Sequence, residues 1–236
     1  MLEIKNLHKS FDKKEILHGV NIQVNDGEIF GFIVHNGAGK TTTKRCATGI
    51  LDFENGEIYI DGIDVKKNPI EAKKRIAYLP DNPDLYESLT AVQYLNFISD
   101  IFGISEDVRF NRMNELAKEF ELYDVLGDQI KSYSHGMKQK LALISAFIHD
   151  PKLIILDEPF VGLDPKASFL VKEKLKQLCS TGCSVFFSSH VLEVVENLCN
   201  QIAIISNGTI MQNGPTESIL SSGKTLEELF LEMESK

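Results

Sequence analysis

The chain has 236 residues, 43% of them hydrophobic and 25% charged, which suits one α/β domain with a large core or a core plus a small subdomain. Its net charge is -9, with 34 acidic against 25 basic residues, a balance that repels phosphate backbones and anionic lipid and argues against nucleic acid as a partner. The longest apolar run, Leu141 to Ile148, is far too short to cross a bilayer, and Met1 to Ser10 lacks the apolar block of a signal peptide.

A strand is predicted before Phe11. Val20, Ile22 and Val24 then alternate with polar residues until Asp26-Gly27 turns the chain. Glu28 to Val34 is a near-continuous apolar strand that runs into a Gly-rich loop and a helix over Lys40 to Leu51. Asn55-Gly56 reads as a turn, Ile58 and Ile60 as the strand after it, and Asp61-Gly62 as the next turn. From Leu89 to His149 helix-period patterns replace strands: Val92, Leu95 and Phe97-Ile98, then Met113, Leu116-Ala117 and Phe120. That texture predicts a helical insert in an α/β core. Leu153 to Leu156 is a short buried strand, followed by a helix over Ala167 to Leu178 and a second buried strand, Ser184 to Ser188. Ile202 to Ile205, Asn207-Gly208 and Thr209 to Gln212 form a hairpin. From Thr225 the tail reads as an acidic amphipathic helix with Leu226, Leu229, Phe230 and Met233 on one face. Cys46, Cys179, Cys183 and Cys199 form no CxxC pair and read as small buried thiols in a reducing cytosol.

His35-Asn36-Gly37-Ala38-Gly39-Lys40-Thr41-Thr42 follows the apolar strand and opens a helix, the context that a phosphate-binding loop requires. Backbone N–H groups of such a turn, and of the helix N-terminus, point at phosphates. Lys40 adds a point charge and Thr41 a hydroxyl ligand for Mg²⁺. The motif asks for Gly five residues before Gly39, where this chain has Val34. A β-branched residue resists φ > 0, so two readings stay open. Either Val34 pushes the loop off its path and slows the chemistry, or it ends the strand with φ < 0 and the loop tolerates it.

Asp157 and Glu158 stand just beyond the buried strand Leu153 to Leu156, where open α/β sheets bind ligands. Asp157 is placed to hold Mg²⁺ and Glu158 to polarise an attacking water as general base.

Three further stretches resemble those of the ABC ATPases. Tyr133-Ser134-His135-Gly136-Met137-Lys138-Gln139 is similar to the signature sequence, with Tyr133 for its Leu and His135 for its first Gly. Gly162-Leu163-Asp164-Pro165 resembles the D-loop, and Phe186 to His190 the switch-histidine strand. Phe11 matches the aromatic that stacks on adenine, and Leu226 to Leu231 and Ala77 to Pro83 resemble ATPases serving ABC-2-type exporters. Asp81 stands where most of the family carries Gln.

The resemblance covers almost the whole chain. It implies a P-loop NTPase core with a mixed, largely parallel sheet, an N-terminal antiparallel β subdomain and an α-helical insert. It places the nucleotide-binding core and β subdomain at 1–84 and 151–212, the helical subdomain at 85–150 and a tail helix at 213–236. It implies ATP and Mg²⁺ as ligands. Phe11, His35, Asn36, Gly37, Ala38, Gly39, Lys40, Thr41, Thr42, Ser134, Gly136 and Asp164 would contact nucleotide, Thr41, Asp157 and Asp81 the metal, and Glu158, His190 and Lys40 the chemistry. The partners implied are a second ATPase subunit facing this one across ATP, and an integral membrane permease. The chain would lie in the cytoplasm, peripheral on the inner face of the membrane, and serve export. The alternative is a regulatory or scaffold protein that binds nucleotide and hydrolyses it weakly.

Overall fold

The computed structural model describes residues 1–35, 39–220 and 225–234, and of 34, 35, 230 and 232–234 the backbone only. Two sheets form its frame. In the first, β1 (Leu2–Phe11), β2 (Lys14–Val24), β4 (Asn55–Ile60) and β5 (Ile63–Asp64) pair antiparallel in the order β2-β1-β4-β5. Asn55-Gly56, expected as a turn, lies inside β4, where Asn55 pairs with His8 of β1.

The second sheet runs β10-β9-β3-β8-β7-β6, built from β3 (Ile29–His35), β6 (Ile76–Leu79), β7 (Leu153–Asp157), β8 (Ser184–Ser188), β9 (Gln201–Ser206) and β10 (Thr209–Pro215). All its neighbours are parallel except β10, which returns on β9 through Asn207-Gly208. Both faces of this sheet are covered along β7, β8 and β9, so these strands lack the polar alternation of a half-exposed sheet, which β10 at the edge retains. Alternate residues instead serve two different cores. Ile33, Ile154, Leu156, Val185, Phe187, Ile202 and Ile204 pack toward the helices. Phe30, Phe32, Leu153, Ile155, Phe186, Ala203 and Ile205 pack with the antiparallel sheet.

Helix α1 (Lys40–Ala47) follows β3 and ends four residues before Leu51; Gly49, at φ 64°, stands just past its end. The short α2 (Pro69–Lys74) precedes β6. Between residues 89 and 149 the chain is helical: α3 (Ala91–Ile101), α4 (Glu106–Glu119) and α5 (His135–Phe147), with 3₁₀ turns between α4 and α5. Thr90 and Gln93 close a capping box on α3. Helix α6 (Pro165–Ser180) extends beyond the stretch read from its apolar pattern, because Asp164 caps it and Pro165 suits its first position. The short α7 (Leu192–Leu198) and α8 (Thr216–Ile219) flank β9 and β10, and α9 (Leu226–Glu234) closes the described chain. On α9 Leu226 is buried and Leu229 packs against the core; the side chains of Phe230 and Met233 fall outside the described residues. All four cysteines are buried and free, and no described helix is long and apolar enough to cross a membrane.

Candidate active site

The parallel strands β3, β7 and β8 end at one edge of the sheet, and the chain leaves each of them with functional side chains. After β3, Gly39 adopts φ 125°, open to glycine alone, and a Cβ there would stand 2.9 Å from Ile205 Cδ1. Lys40 follows as the first residue of α1. Asp157 ends β7 in register with Ser188 of β8, and His190 stands two residues beyond Ser188. Glu158 has φ 50°, a left-handed backbone uncommon for a residue with a Cβ, and its N–H donates to Ser188 O at 3.0 Å. That turn sends its side chain back into the site.

Five charged or ionisable groups meet there. Lys40 Nζ donates to Glu158 Oε1 at 2.5 Å and lies 3.4 Å from Asp157 Oδ1. Glu158 Oε2 accepts from the His190 backbone N–H at 3.1 Å and lies 2.9 Å from His190 Nδ1. One turn beyond Lys40, Lys44 is fully buried, and its ammonium contacts both Asp157 Oδ1 and Ser188 Oγ. Ser188 Oγ donates in turn to Asp157 Oδ1 at 2.9 Å. Two ammonium groups thus face two carboxylates in a nearly closed space, since the Asp157 and Glu158 side chains are only 6% and 7% exposed.

Burial pushes the Asp157 carboxyl up, but Lys44 first and then Lys40 and Ser188 outweigh it and hold it below the usual aspartate range. Burial pulls the Lys40 ammonium down, yet Glu158 and then Asp157 outweigh it, and its pKa stands above the ordinary lysine value. For Lys44 burial dominates, only partly offset by Asp157, and brings the pKa down to about 8. Lys44 and Ser188 are the members of this cluster with no site role expected from the sequence. The signal available for Lys44 was its position, one helical turn after Lys40 and so on the same face.

The other predicted residues are spread around this centre. Thr41 is exposed and Thr42 half-buried in the first turn of α1. Asp81 follows β6 at the same sheet edge; it is exposed, and among the described residues no hydrogen bond or ion pair ties it to the cluster. Phe11 is exposed at the end of β1, with Lys9 Nζ 5.2 Å from its ring centre. Ser134 caps α5 by accepting from Met137 N–H at 3.2 Å, and Asp164 caps α6 by accepting from Ala167 N–H at 2.8 Å. A Cβ on Gly136 would stand 3.1 Å from Gly162 O, so the start of α5 and the 162–165 turn approach closely because the residue is glycine. Asn36, Gly37 and Ala38 lie outside the described residues, as does the side chain of His35.

The backbone of Val34 continues β3, in register with Ile205 of β9, and Val34 is not among the non-glycine residues with positive φ. Its position requires no glycine, which favours the second of the two readings. Val34→Gly is expected to lower stability by about 0.5–1 kcal/mol, through the flexibility a glycine adds to a strand, and to leave turnover no faster. A melting curve beside steady-state kinetics checks both, and a faster variant would restore the strained-loop reading.

The cluster's oxygen donors suit a hard divalent cation such as Mg²⁺, which takes one or two carboxylates together with phosphate oxygens. Among the described residues no group of three or more His, Cys, Asp or Glu could hold a metal by itself.

Comparison with known proteins gives this geometry a family. The model of the ABC transporter family matches residues 17–161. The linearmycin resistance ATP-binding protein LnrL of Bacillus subtilis (strain 168) is 35% identical over 231 residues, 97% of this chain and 74% of that protein. The ABC transporter ATP-binding protein NatA of the same organism is 34% identical over 95% of this chain and 94% of its own length. A solved structure described as the ATP-binding subunit of an ABC transporter superposes with a TM-score of 0.95 at 33% identity, covering 99% of both chains. The chain belongs to the ABC transporter family as an ATP-binding subunit, the part that energises transport by a separate permease.

Proposed function

We propose that this subunit hydrolyses ATP, with Glu158 as general base, and that it does so as one half of a two-subunit sandwich driving export. The observation that carries the reading is the clamp on Glu158, whose two oxygens are held separately by Lys40 and by His190 at the end of β7. A γ-phosphate arriving at the start of α1 would draw the Lys40 ammonium onto its own oxygens. Glu158 Oε1 would then be free to take a proton from water while His190 keeps Oε2 in place. Thr41, Asp157 and Asp81 would hold Mg²⁺, which neutralises charge on the phosphates when bound. Phe11, exposed at the strand end, offers a ring face to adenine. The loop from His35 through Thr42 would wrap the phosphates with its backbone N–H groups.

Ser134 Oγ accepts a hydrogen bond from the helix it caps, so its own O–H remains available to donate to a phosphate carried by a second subunit. Gly136 and Asp164 would join that contact across the interface, and the second subunit is either an identical copy or a relative. The helices within 85–150 would pass opening and closing to the permease from the inner face of the membrane. The word "resistance" in the name of one relative, together with the resemblance to exporter ATPases, favours export as the direction.

The test is phosphate release from MgATP by the purified chain, alone and with the permease that accompanies it from detergent-solubilised membranes. Release that stops with EDTA is expected. Nucleotide binding without phosphate release in either state would leave a scaffold, not an ATPase.

A further inference from the structure

Lys44 is a buried cation that the chemistry above does not use. It lies on the same face of α1 as Lys40, one turn further in, and is inaccessible to solvent. An isolated buried ammonium would cost several kcal/mol, so its place in the fold depends on what it touches. Its contacts are Asp157 Oδ1 and Ser188 Oγ, and Ser188 donates to the same Oδ1. Lys40 also approaches Oδ1, at 3.4 Å. Three donors therefore converge on one oxygen of the carboxylate assigned to the metal.

Lys40 and Lys44 differ in how they could respond to a nucleotide. The Lys40 side chain is 24% exposed and is the group that phosphate oxygens can reach. The Lys44 side chain is 0% exposed, out of reach of a phosphate, and contacts Asp157. Asp157 thus meets an arriving divalent ion with its charge already balanced.

We propose that Lys44 is a positioning residue that acts through Asp157 as a resident counter-cation, so that the Asp157–Lys44 pair adds little to the affinity with which the nucleotide holds its metal. The inference rests on the assignment of Asp157 to the metal. It has an unusual sign: removing a positive charge from the site should tighten metal binding. A unit charge within about 6 Å of a divalent ion is worth roughly a factor of ten even at the dielectric constant of water.

The test uses Mn²⁺ as a spectroscopically visible probe and AMP-PNP as the nucleotide, followed by electron paramagnetic resonance. The wild-type chain with AMP-PNP gives the reference affinity for Mn²⁺. Lys44→Met should hold it about tenfold tighter. Lys44→Gln, which can still hydrogen-bond to Asp157 and Ser188 without charge, should behave like Lys44→Met. It serves if the methionine variant does not fold, and circular dichroism establishes which variants do. Equal or weaker Mn²⁺ binding in a folded neutral variant would overturn the proposal, since a purely structural lysine would change melting temperature and leave the metal alone. Asp157→Asn separates the two levels of inference: if it leaves Mn²⁺ binding unchanged, Asp157 is not a metal ligand and the reading beneath the proposal fails.

Discussion

Glu158→Gln is expected to stop phosphate release while ATP stays bound. The amide matches the carboxylate in shape, so the left-handed turn at residue 158 and its bond to Ser188 O need not change. The side-chain oxygen can still accept from the His190 backbone N–H. What is lost is a group able to take a proton from water, and a positioned general base contributes a factor of about 10²–10⁴ to rate. Loss of the charge also releases Lys40 from its 2.5 Å ion pair, which leaves that ammonium freer to meet the γ-phosphate. Binding of ATP should therefore be equal or tighter, and a subunit pair closed by ATP should persist because the step that opens it is blocked. Phosphate release, equilibrium nucleotide binding and sedimentation with ATP measure the three effects. A variant that turns over like wild type would take the base role away from Glu158.

Lys40→Ala should lose nucleotide affinity by about ten- to a hundredfold, the worth of one hydrogen bond to a charged group at about 1.5–3 kcal/mol. Lys44 cannot replace it. Although it carries the same charge one turn away, it is sealed from solvent and committed to Asp157 and Ser188. The substitution also leaves the Glu158 carboxylate, 7% exposed, with His190 as its remaining side-chain partner among the described residues, so a lower melting temperature should accompany the loss of binding. Titration with a fluorescent nucleotide decides the main point. Unchanged affinity would mean that the phosphates lie elsewhere than the start of α1.

The parts of the fold legible in the sequence were those whose signal is local. The alternation in 20–24, the apolar run of 28–34, the buried strands at 153–156 and 184–188, and the hairpin through Asn207-Gly208 all lie where their patterns placed them. Strand β6, only four residues long, and the short helices α2 and α7 carry too few residues to show a period. Asn55-Gly56 reads as a turn because the dipeptide favours turns, whereas pairing with β1 draws it into a strand. In the candidate site, the places of Lys40 at the start of a helix and of the Asp157–Glu158 pair beyond a strand are legible because each follows an apolar run. The Lys44–Asp157–Ser188 triangle was not, since its members lie on α1, β7 and β8 and meet only when the sheet is assembled. The backbone turn at Glu158 was equally hidden, because nothing in the residue type announces a positive φ.

The six-stranded sheet, whose successive side chains serve opposite cores, has a consequence for how the molecule comes apart. The two cores share this sheet as a common wall: Phe186 belongs to one and its neighbours Val185 and Phe187 to the other. Melting either side strips contacts from the same strands that roof the other, so the two cannot open one after the other as separate units. The sheet also tolerates no slip of frame. Inserting or deleting a single residue within β7 or β8 would turn the side chains of one core toward the other, placing Phe186 where Val185 or Phe187 belongs in β8, and would carry Asp157 or Ser188 to the wrong face at the same stroke.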